Sequence, residues 1–272
     1  MPELPEVETT RLGLLPLLGE SVAEVVIRNA SLRWPIPQSL SALLPKQTLK
    51  ALTRRAKYIL AHFDTGVLLL HLGMSGRIRL LAQDEPPQKH DHFDIRFNNG
   101  QVLRLCDPRR FGAVLWAGQH PDAHVLLSKL GPEPLDDIFT GQYLYQQLRT
   151  RSIAIKTAIM DSHLVVGVGN IYASESLFRA RIHPEAPAKS LSLTACERLV
   201  AEIKSTLQAA LAAGGSSLRD FFGTDGKPGY FQQEYFVYAR TGQPCKVCGT
   251  PIHNIKLGQR STFYCGLCQP RN

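Results

Sequence analysis

The chain has no long hydrophobic run. Its longest strongly apolar segment, around Val67–Leu72, falls far short of the roughly 20 residues a membrane helix requires. It also shows no basic, apolar leader: the first residues carry Glu3, Glu6 and Glu8, which argues against a signal peptide. Internal repeats and low-complexity tracts are missing, which sets aside solenoids and compositionally biased linkers. Acidic residues are in deficit, 23 Asp and Glu against 31 Lys and Arg, and the formal charge of +8 suits a polyanionic partner. These features read as a soluble, cytoplasmic protein without a membrane partner. At 272 residues the chain is long enough for two domains and a small module.

Cysteine is scarce, and its six copies fall into two classes. Cys106 and Cys196 stand alone and read as buried, inert thiols. Cys245, Cys248, Cys265 and Cys268 form C-x2-C-x16-C-x2-C, within the spacing of a four-cysteine zinc site. A disulfide pair is the alternative, disfavoured because no secretory signal accompanies it. One zinc ion held by four thiolates has no open coordination position, so the expected role is structural.

The spacing of Val7, Leu14 and Leu18 predicts a first helix over residues 5–18, with Pro5 near its start. From about residue 22 to 117 the pattern becomes strand-like. Segments 22–27, 58–63 and 67–70, a turn at 64–66, and a hairpin of Phe93–Phe97 with Val102–Leu105 around Asn98-Asn99-Gly100 predict an antiparallel sandwich or barrel. After Gly131-Pro132-Glu133-Pro134 the character turns helical. A helical stretch is expected over 171–180. A longer helix is expected with Thr194 and Glu197 as a capping box, an apolar face at Leu199, Ile203, Leu207 and Leu211, and a stop at Gly214-Gly215. The resulting division is 1–131, 132–234 and 235–272, the last too small to fold without its metal.

Pro2 is the residue with the most distinctive chemistry. Removal of Met1 leaves a secondary amine, and an α-amino group with a pKa of about 7.7–8.0 is partly neutral and nucleophilic near physiological pH. Such an amine can attack a carbonyl-like carbon and form a Schiff base. A helix-start proline is the plainer reading. Glu3 and Glu6 stand close by, suited to general-acid work or to the positive end of a helix. Lys57, in Arg54-Arg55-Ala56-Lys57-Tyr58, suits a phosphate or a reacting sugar, or simply a solvated strand entrance. Gly167-Val168-Gly169-Asn170 lacks the further glycine of a dinucleotide fingerprint, since Tyr172 stands there. Asn170 is read as an N-cap over outward backbone N–H groups. Met74, flanked by glycines, and Arg109-Arg110-Phe111 lie at strand ends, where they can enter a base stack or cap the core. Residues 214–230, rich in glycine and aromatics, read as a closing loop or a linker.

Together these motifs resemble those of bacterial formamidopyrimidine-DNA glycosylases, bifunctional repair enzymes that excise oxidised purines. The resemblance runs through Pro2-Glu3-Leu4-Pro5-Glu6, Arg55-Ala56-Lys57-Tyr58, His71-Leu72-Gly73-Met74-Ser75-Gly76, Asp107-Pro108-Arg109-Arg110-Phe111-Gly112, Gly167-Val168-Gly169-Asn170-Ile171-Tyr172 and Arg260-Ser261-Thr262-Phe263-Tyr264-Cys265. It implies an α+β fold: an N-terminal helix and two-layer antiparallel β-sandwich, then a helix–two-turn–helix domain with a C-terminal zinc-finger β-hairpin. It implies Pro2 as nucleophile, Glu3 as acid, Glu6 as its support, and Lys57 in base release and strand cleavage. Lys57, His71, Asn170 and Arg260 would grip phosphates, and Met74, Arg109 and Phe111 would fill the void of an extruded nucleotide. His90 and Arg151 would be further DNA contacts, Lys156 would lie near the damaged base, and 216–230 would close over it. The segment Phe221-Phe222-Gly223-Thr224 departs from the usual family wording. Damaged double-stranded DNA is the expected partner of a monomer with no obligate protein partner. Two alternatives are a relative acting on oxidised pyrimidines, against which Leu4 and Phe263-Tyr264 weigh, and a non-catalytic zinc-dependent DNA-binding protein.

Overall fold

Proline decides where the first helix ends. In the computed structural model, which describes residues 2–214 and 235–271, α1 runs Leu4–Gly13 rather than over 5–18. Pro16 has no amide hydrogen to continue the ladder, and its ring would collide with the preceding turn. The chain therefore tightens into a 3-10 turn at Leu15–Leu17. Two compact units follow, one built on Met1–Ser128 and the other on Lys129–Ala210 with Gln233–Asn272.

The first unit is the expected sandwich. Its elements are β1 (Val22–Ile27), the short α2 (Leu40–Leu43), β2 (Ala51–Arg55), β3 (Tyr58–Phe63), β4 (Gly66–His71), β5 (Arg77–Leu81), β6 (Asp91–Phe97), β7 (Val102–Cys106) and β8 (Ala113–Gly118). They form two antiparallel sheets of four strands, ordered β1-β6-β7-β5 and β2-β3-β4-β8. Ile59, Leu68 and Leu70 from one sheet share a core with Phe93, Ile95, Leu103 and Leu105 from the other. Strands β2 and β5 are less legible than the rest because arginines interrupt their alternation. The first sheet also buries charge. Arg104 binds Asp94 through two hydrogen bonds of 2.9 and 2.7 Å, both side chains being wholly buried, and Arg28 adds a third contact to Asp94. Helix α1 packs on β2 and β3, and Arg11 ties it there by donating to the Leu52 carbonyl at 3.0 Å.

The second unit contains α3 (Gly141–Leu148), α4 (Ile155–Ile159), α5 (Asn170–Arg179), α6 (Leu193–Ala212) and the hairpin β9 (His253–Leu257) with β10 (Arg260–Tyr264). Helix α6 starts earlier than the expected box: the Ser192 hydroxyl caps it by accepting from the Ala195 amide at 3.2 Å. Glu197 lies against Gly141 instead, where an added Cβ would come 2.4 Å from its Cγ, so α3 opens on glycine for lack of room. The helix ends as expected, Gly214 taking φ +75°. At the hairpin tip Gly258 and Gln259 both adopt positive φ, the geometry of a two-residue turn that follows the twist of the strands. The closing loop expected at 216–230, with Phe221–Thr224, lies outside the described residues. Among those described, no helix is long and apolar enough to cross a membrane.

Candidate active site and nucleic-acid interface

In the first unit, Pro2 is buried immediately before the N-cap of α1. That cap is Glu3, which with Glu6 forms a reciprocal capping box: the Glu3 side chain accepts from the Glu6 amide, and Glu6 Oε2 accepts from the Glu3 amide at 2.9 Å. Both acids are buried, Glu3 at 1% exposure. Helix capping and chemistry are therefore compatible here. The box fixes the backbone on which the Pro2 nitrogen sits, and it keeps two carboxyl groups close to that nitrogen in the chain.

Lys57 occupies the turn between β2 and β3. Ala56 before it adopts φ +54°, and its carbonyl is held by Arg54 Nη1 at 2.8 Å. Arg54 also binds Glu8 of α1 at 3.2 Å, so the Lys57 turn and the N-terminal helix are tied through one carboxylate. His71 ends β4 with its ring 4.7 Å from that of Tyr58. Burial first, then the charges of Lys57 and Arg33, pushes its pKa down to about 4. The ring is thus neutral near pH 7. Its Nδ1 accepts from the Gly73 amide at 3.1 Å, which leaves Nε2–H as a donor suited to a phosphate oxygen.

The loops bearing Met74 and Phe111 are locked together. Buried Asp107 accepts from Ser75 Oγ at 2.9 Å and from the Gly112 amide at 2.7 Å, while the Arg109 amide donates to Ser75 Oγ at 3.2 Å. Gly73 lies so close to the second loop that a Cβ would come 2.4 Å from the Phe111 carbonyl carbon. On this platform Met74 and Phe111 are exposed by 37% and 42%, and the Arg109 guanidinium lies 4.9 Å from the Phe111 ring centre. Both side chains therefore reach solvent rather than lying wholly in the core. His90 joins the platform through its carbonyl, which accepts from the Asp107 amide at 2.9 Å.

In the second unit the polar residues converge on the hairpin. Lys156 of α4, 1% exposed, donates to Asn170 Oδ1 at 2.5 Å and to Thr262 Oγ1 at 2.7 Å. Asn170 Nδ2 donates to the Ser261 carbonyl at 2.9 Å. One sequence expectation changes accordingly. Gly169, not Asn170, is the N-cap of α5, and the Asn170 side chain ties the helix to β10. The buried ammonium of Lys156 thus joins Asn170 to the hairpin. Arg260 is exposed at the hairpin tip, beside a depression of about 250 Å³ that Thr157, Met160 and Asp161 help to line. Arg151 is half-buried and binds Asp161 at 2.6 Å. Burial alone would raise the Asp161 pKa, but hydrogen bonds from Arg151 and His163 outweigh it and hold it at about 2.

Cys245, Cys248, Cys265 and Cys268 gather with all four sulfurs within 4.8 Å of one another. Separations of 3.4 Å (Cys248–Cys265) and 3.9 Å (Cys245–Cys268) bracket the edge of about 3.8 Å expected for a tetrahedron with Zn–S bonds of about 2.3 Å. They are far too long for a disulfide. The Val247 and Cys268 amides each donate to a cysteine sulfur at 3.5 Å, as suits thiolates on a metal.

Sequence reasoning missed Glu175. It is 3% exposed, and its two oxygens accept from the consecutive amides of Phe236, Val237 and Tyr238, each at 2.9 Å, fixing the chain where it enters the cysteine segment. The available signal was an acid inside the wholly buried run Ile171–Phe178 of α5. It also missed Asp107 as the bracket between two loops, and Arg33, an exposed cation whose charge reaches both Tyr58 and His71.

Comparison with known proteins covers the whole chain. Residues 1–114 match the family model described as the formamidopyrimidine-DNA glycosylase N-terminal domain. Residues 130–222 match the corresponding H2TH domain, and 242–271 a zinc finger found in FPG and IleRS. The four cysteines accordingly hold one structural zinc. The formamidopyrimidine-DNA glycosylase of Methylobacillus flagellatus is 66% identical over 269 residues, 99% of this chain and 96% of that protein. That of Herminiimonas arsenicoxydans is 56% identical, covering 99% of this chain and 100% of that protein. The crystal structure of MutM (Fpg) from Thermus thermophilus superposes with a TM-score of 0.89 at 36% identity, covering 100% of both chains. A complex of Lactococcus lactis Fpg with abasic-site-containing DNA gives 0.92 at 33% identity, covering 99% of this chain and 100% of that one.

Proposed function

The chain belongs to the formamidopyrimidine-DNA glycosylase family, and on that footing we propose that it is a bifunctional DNA repair glycosylase and AP lyase. Its substrates would be oxidised purines, 8-oxoguanine and formamidopyrimidines, in duplex DNA. The observation that carries this reading is the capping box of Glu3 and Glu6, which fixes the residue after the initiator methionine, Pro2, in a buried corner.

After loss of Met1, the neutral Pro2 nitrogen attacks C1′ of the everted nucleotide. The base leaves with a proton, and Glu3 protonates the ring oxygen so that the sugar opens to an iminium. Removal of a C2′ proton then expels the 3′ phosphate, and a second elimination expels the 5′ phosphate. Hydrolysis of the remaining iminium releases Pro2. Lys57 stabilises charge at the sugar and its phosphates, and Glu6 supports Glu3. Met74, Arg109 and Phe111 fill the gap in the stack. His71, His90, Arg151, Asn170 and Arg260 hold the backbone, and Lys156 keeps Asn170 and the hairpin in place. Zinc supplies stability to the hairpin and takes no part in the chemistry.

The work divides among an N-terminal catalytic module (1–131), a helical DNA-binding module (132–234) and the zinc finger (235–272). The protein would act as a monomer wherever the bacterial chromosome is accessible. Purified, untagged protein incubated with duplexes each carrying one defined lesion tests this reading. Base release and strand cleavage at 8-oxoguanine and formamidopyrimidine sites are expected. Activity on oxidised pyrimidines alone, or binding without cleavage, would overturn it in favour of one of the two alternatives.

A further inference from the structure

One groove in the second unit is separate from the Lys156–Asn170–Arg260 cluster. Its volume is about 700 Å³, and it lies between the segment that follows α5, the start of α6 and the C-terminal Pro270-Arg271. Three arginines line it: Arg181, Arg198 and Arg271. Arg181 is exposed on a left-handed turn (φ +57°) and has no acidic partner among the described residues. Arg198 is anchored by its Nε, which donates to the Ala180 carbonyl at 2.7 Å. Arg271 pairs with Glu185, the single acid in the wall.

Two further features add hydrogen-bond donors. Ser192 and Ala195 bring the N-terminus of the 20-residue α6, the positive end of its dipole, to the groove. His183 also lines it and is 4% exposed. Its Nδ1 accepts from the Glu185 amide at 3.2 Å. The other ring nitrogen is therefore an N–H donor, and it has no acceptor among the described residues. Between these polar groups the walls are apolar, formed by Ile182, Leu191, Pro187 and Pro270.

We propose that this groove docks an acidic peptide segment of a partner protein. Its carboxylates would meet Arg181, Arg198 and the α6 N-terminus, and its apolar side chains would lie on Leu191 and Pro187. Phosphate contacts alone, made by polar and basic groups, would engage the arginines and leave Leu191 and Pro187 uncovered. A peptide that alternates Asp or Glu with a large apolar residue satisfies both halves, and the volume suits a few side chains rather than one anion. The docking is independent of base excision.

Fluorescence anisotropy with full-length, zinc-loaded protein and a labelled Asp-Asp-Leu-Asp-Phe peptide tests the idea. Saturable binding is expected, abolished when the Asp residues are replaced by Asn and reduced when Leu and Phe become Ala. Arg181→Glu and Ser190→Glu, placed on two different walls, should each weaken it about tenfold while lesion excision stays unchanged. Zinc content and circular dichroism report folding, and if one variant fails to fold the other decides. The proposal is overturned if the Asn peptide binds as tightly, or if folded charge-reversed protein binds like the parent. It is also overturned if inorganic phosphate or a short single-stranded oligonucleotide displaces the peptide at a lower concentration than the unlabelled peptide does.

Discussion

The N-terminal corner and the cysteine segment are held by different forces. Pro2, Lys57, His71 and the Met74–Phe111 platform stand on a sandwich whose two sheets share a continuous apolar core. The hairpin that carries Arg260 has a core of a few side chains, Phe178, Val237, Ile252 and Phe263 with Cys245 and Cys265. It relies instead on metal, on Glu175 and on Lys156. A site on the sandwich tolerates loss of one polar contact, because dispersion contacts throughout the core hold its backbone. A site on the hairpin rests on a few polar and metal bonds, each of which matters.

The largest effect should come from removing the metal. Cys248→Ser, or chelation of zinc, should unfold the cysteine segment while the sandwich keeps its melting transition. Limited proteolysis, zinc content and lesion-duplex affinity report this together, and affinity should collapse with Arg260 unmounted. Affinity that survives complete zinc removal would mean that the hairpin is held by its side-chain ties alone.

Glu175→Ala sharpens the comparison. It leaves three consecutive amides without their acceptor, that of Val237 buried and those of Phe236 and Tyr238 partly so, and the buried one alone costs about 1–3 kcal/mol. Hydrogen exchange should speed up at residues 236–238 and through the hairpin, and the strands of the sandwich should exchange as before. Unchanged protection at 236–238 would show that the tie is dispensable.

A pH-dependent effect belongs to the sandwich. The His71 pKa is about 4 in the folded protein and 6.5 for an unperturbed imidazole, so the unfolded chain binds the proton more readily. Stability should therefore fall as pH drops from about 6.5 through about 4, with the full contribution present above that window. Denaturant unfolding of the wild type and of His71→Gln across this range checks the sign. The variant's curve should be flatter by this one group, and an identical slope would place the titration elsewhere.

Much of this division was legible in the sequence, for chemical reasons. Cysteine spacing reports a tetrahedral site directly, because each C-x2-C pair fits one turn, and strand β6 alternates before the turn at Asn98-Asn99-Gly100. The bounds of α1 and α6 were less legible. The Leu14 and Leu18 periodicity continues past the point where Pro16 stops the helix, and Thr194–Glu197 has the composition of a cap while Ser192 performs it. At Pro2 the residue's own chemistry suggests a role without any structure. The site was illegible where function depends on a tie across many residues. Nothing local to Glu175 announces amides 61–63 residues away, and nothing local to Lys156 announces its ties to Asn170 and Thr262.

The central claim is that the amine of Pro2 is the nucleophile, and borohydride trapping on an 8-oxoguanine duplex tests it most directly. Reduction should link enzyme to DNA, peptide mapping should place the link on Pro2, and a retained Met1 or an N-terminal tag should abolish it. Lys57→Ala should slow turnover and still trap at Pro2. A link that maps to Lys57, or that survives a blocked N-terminus, would contradict the account.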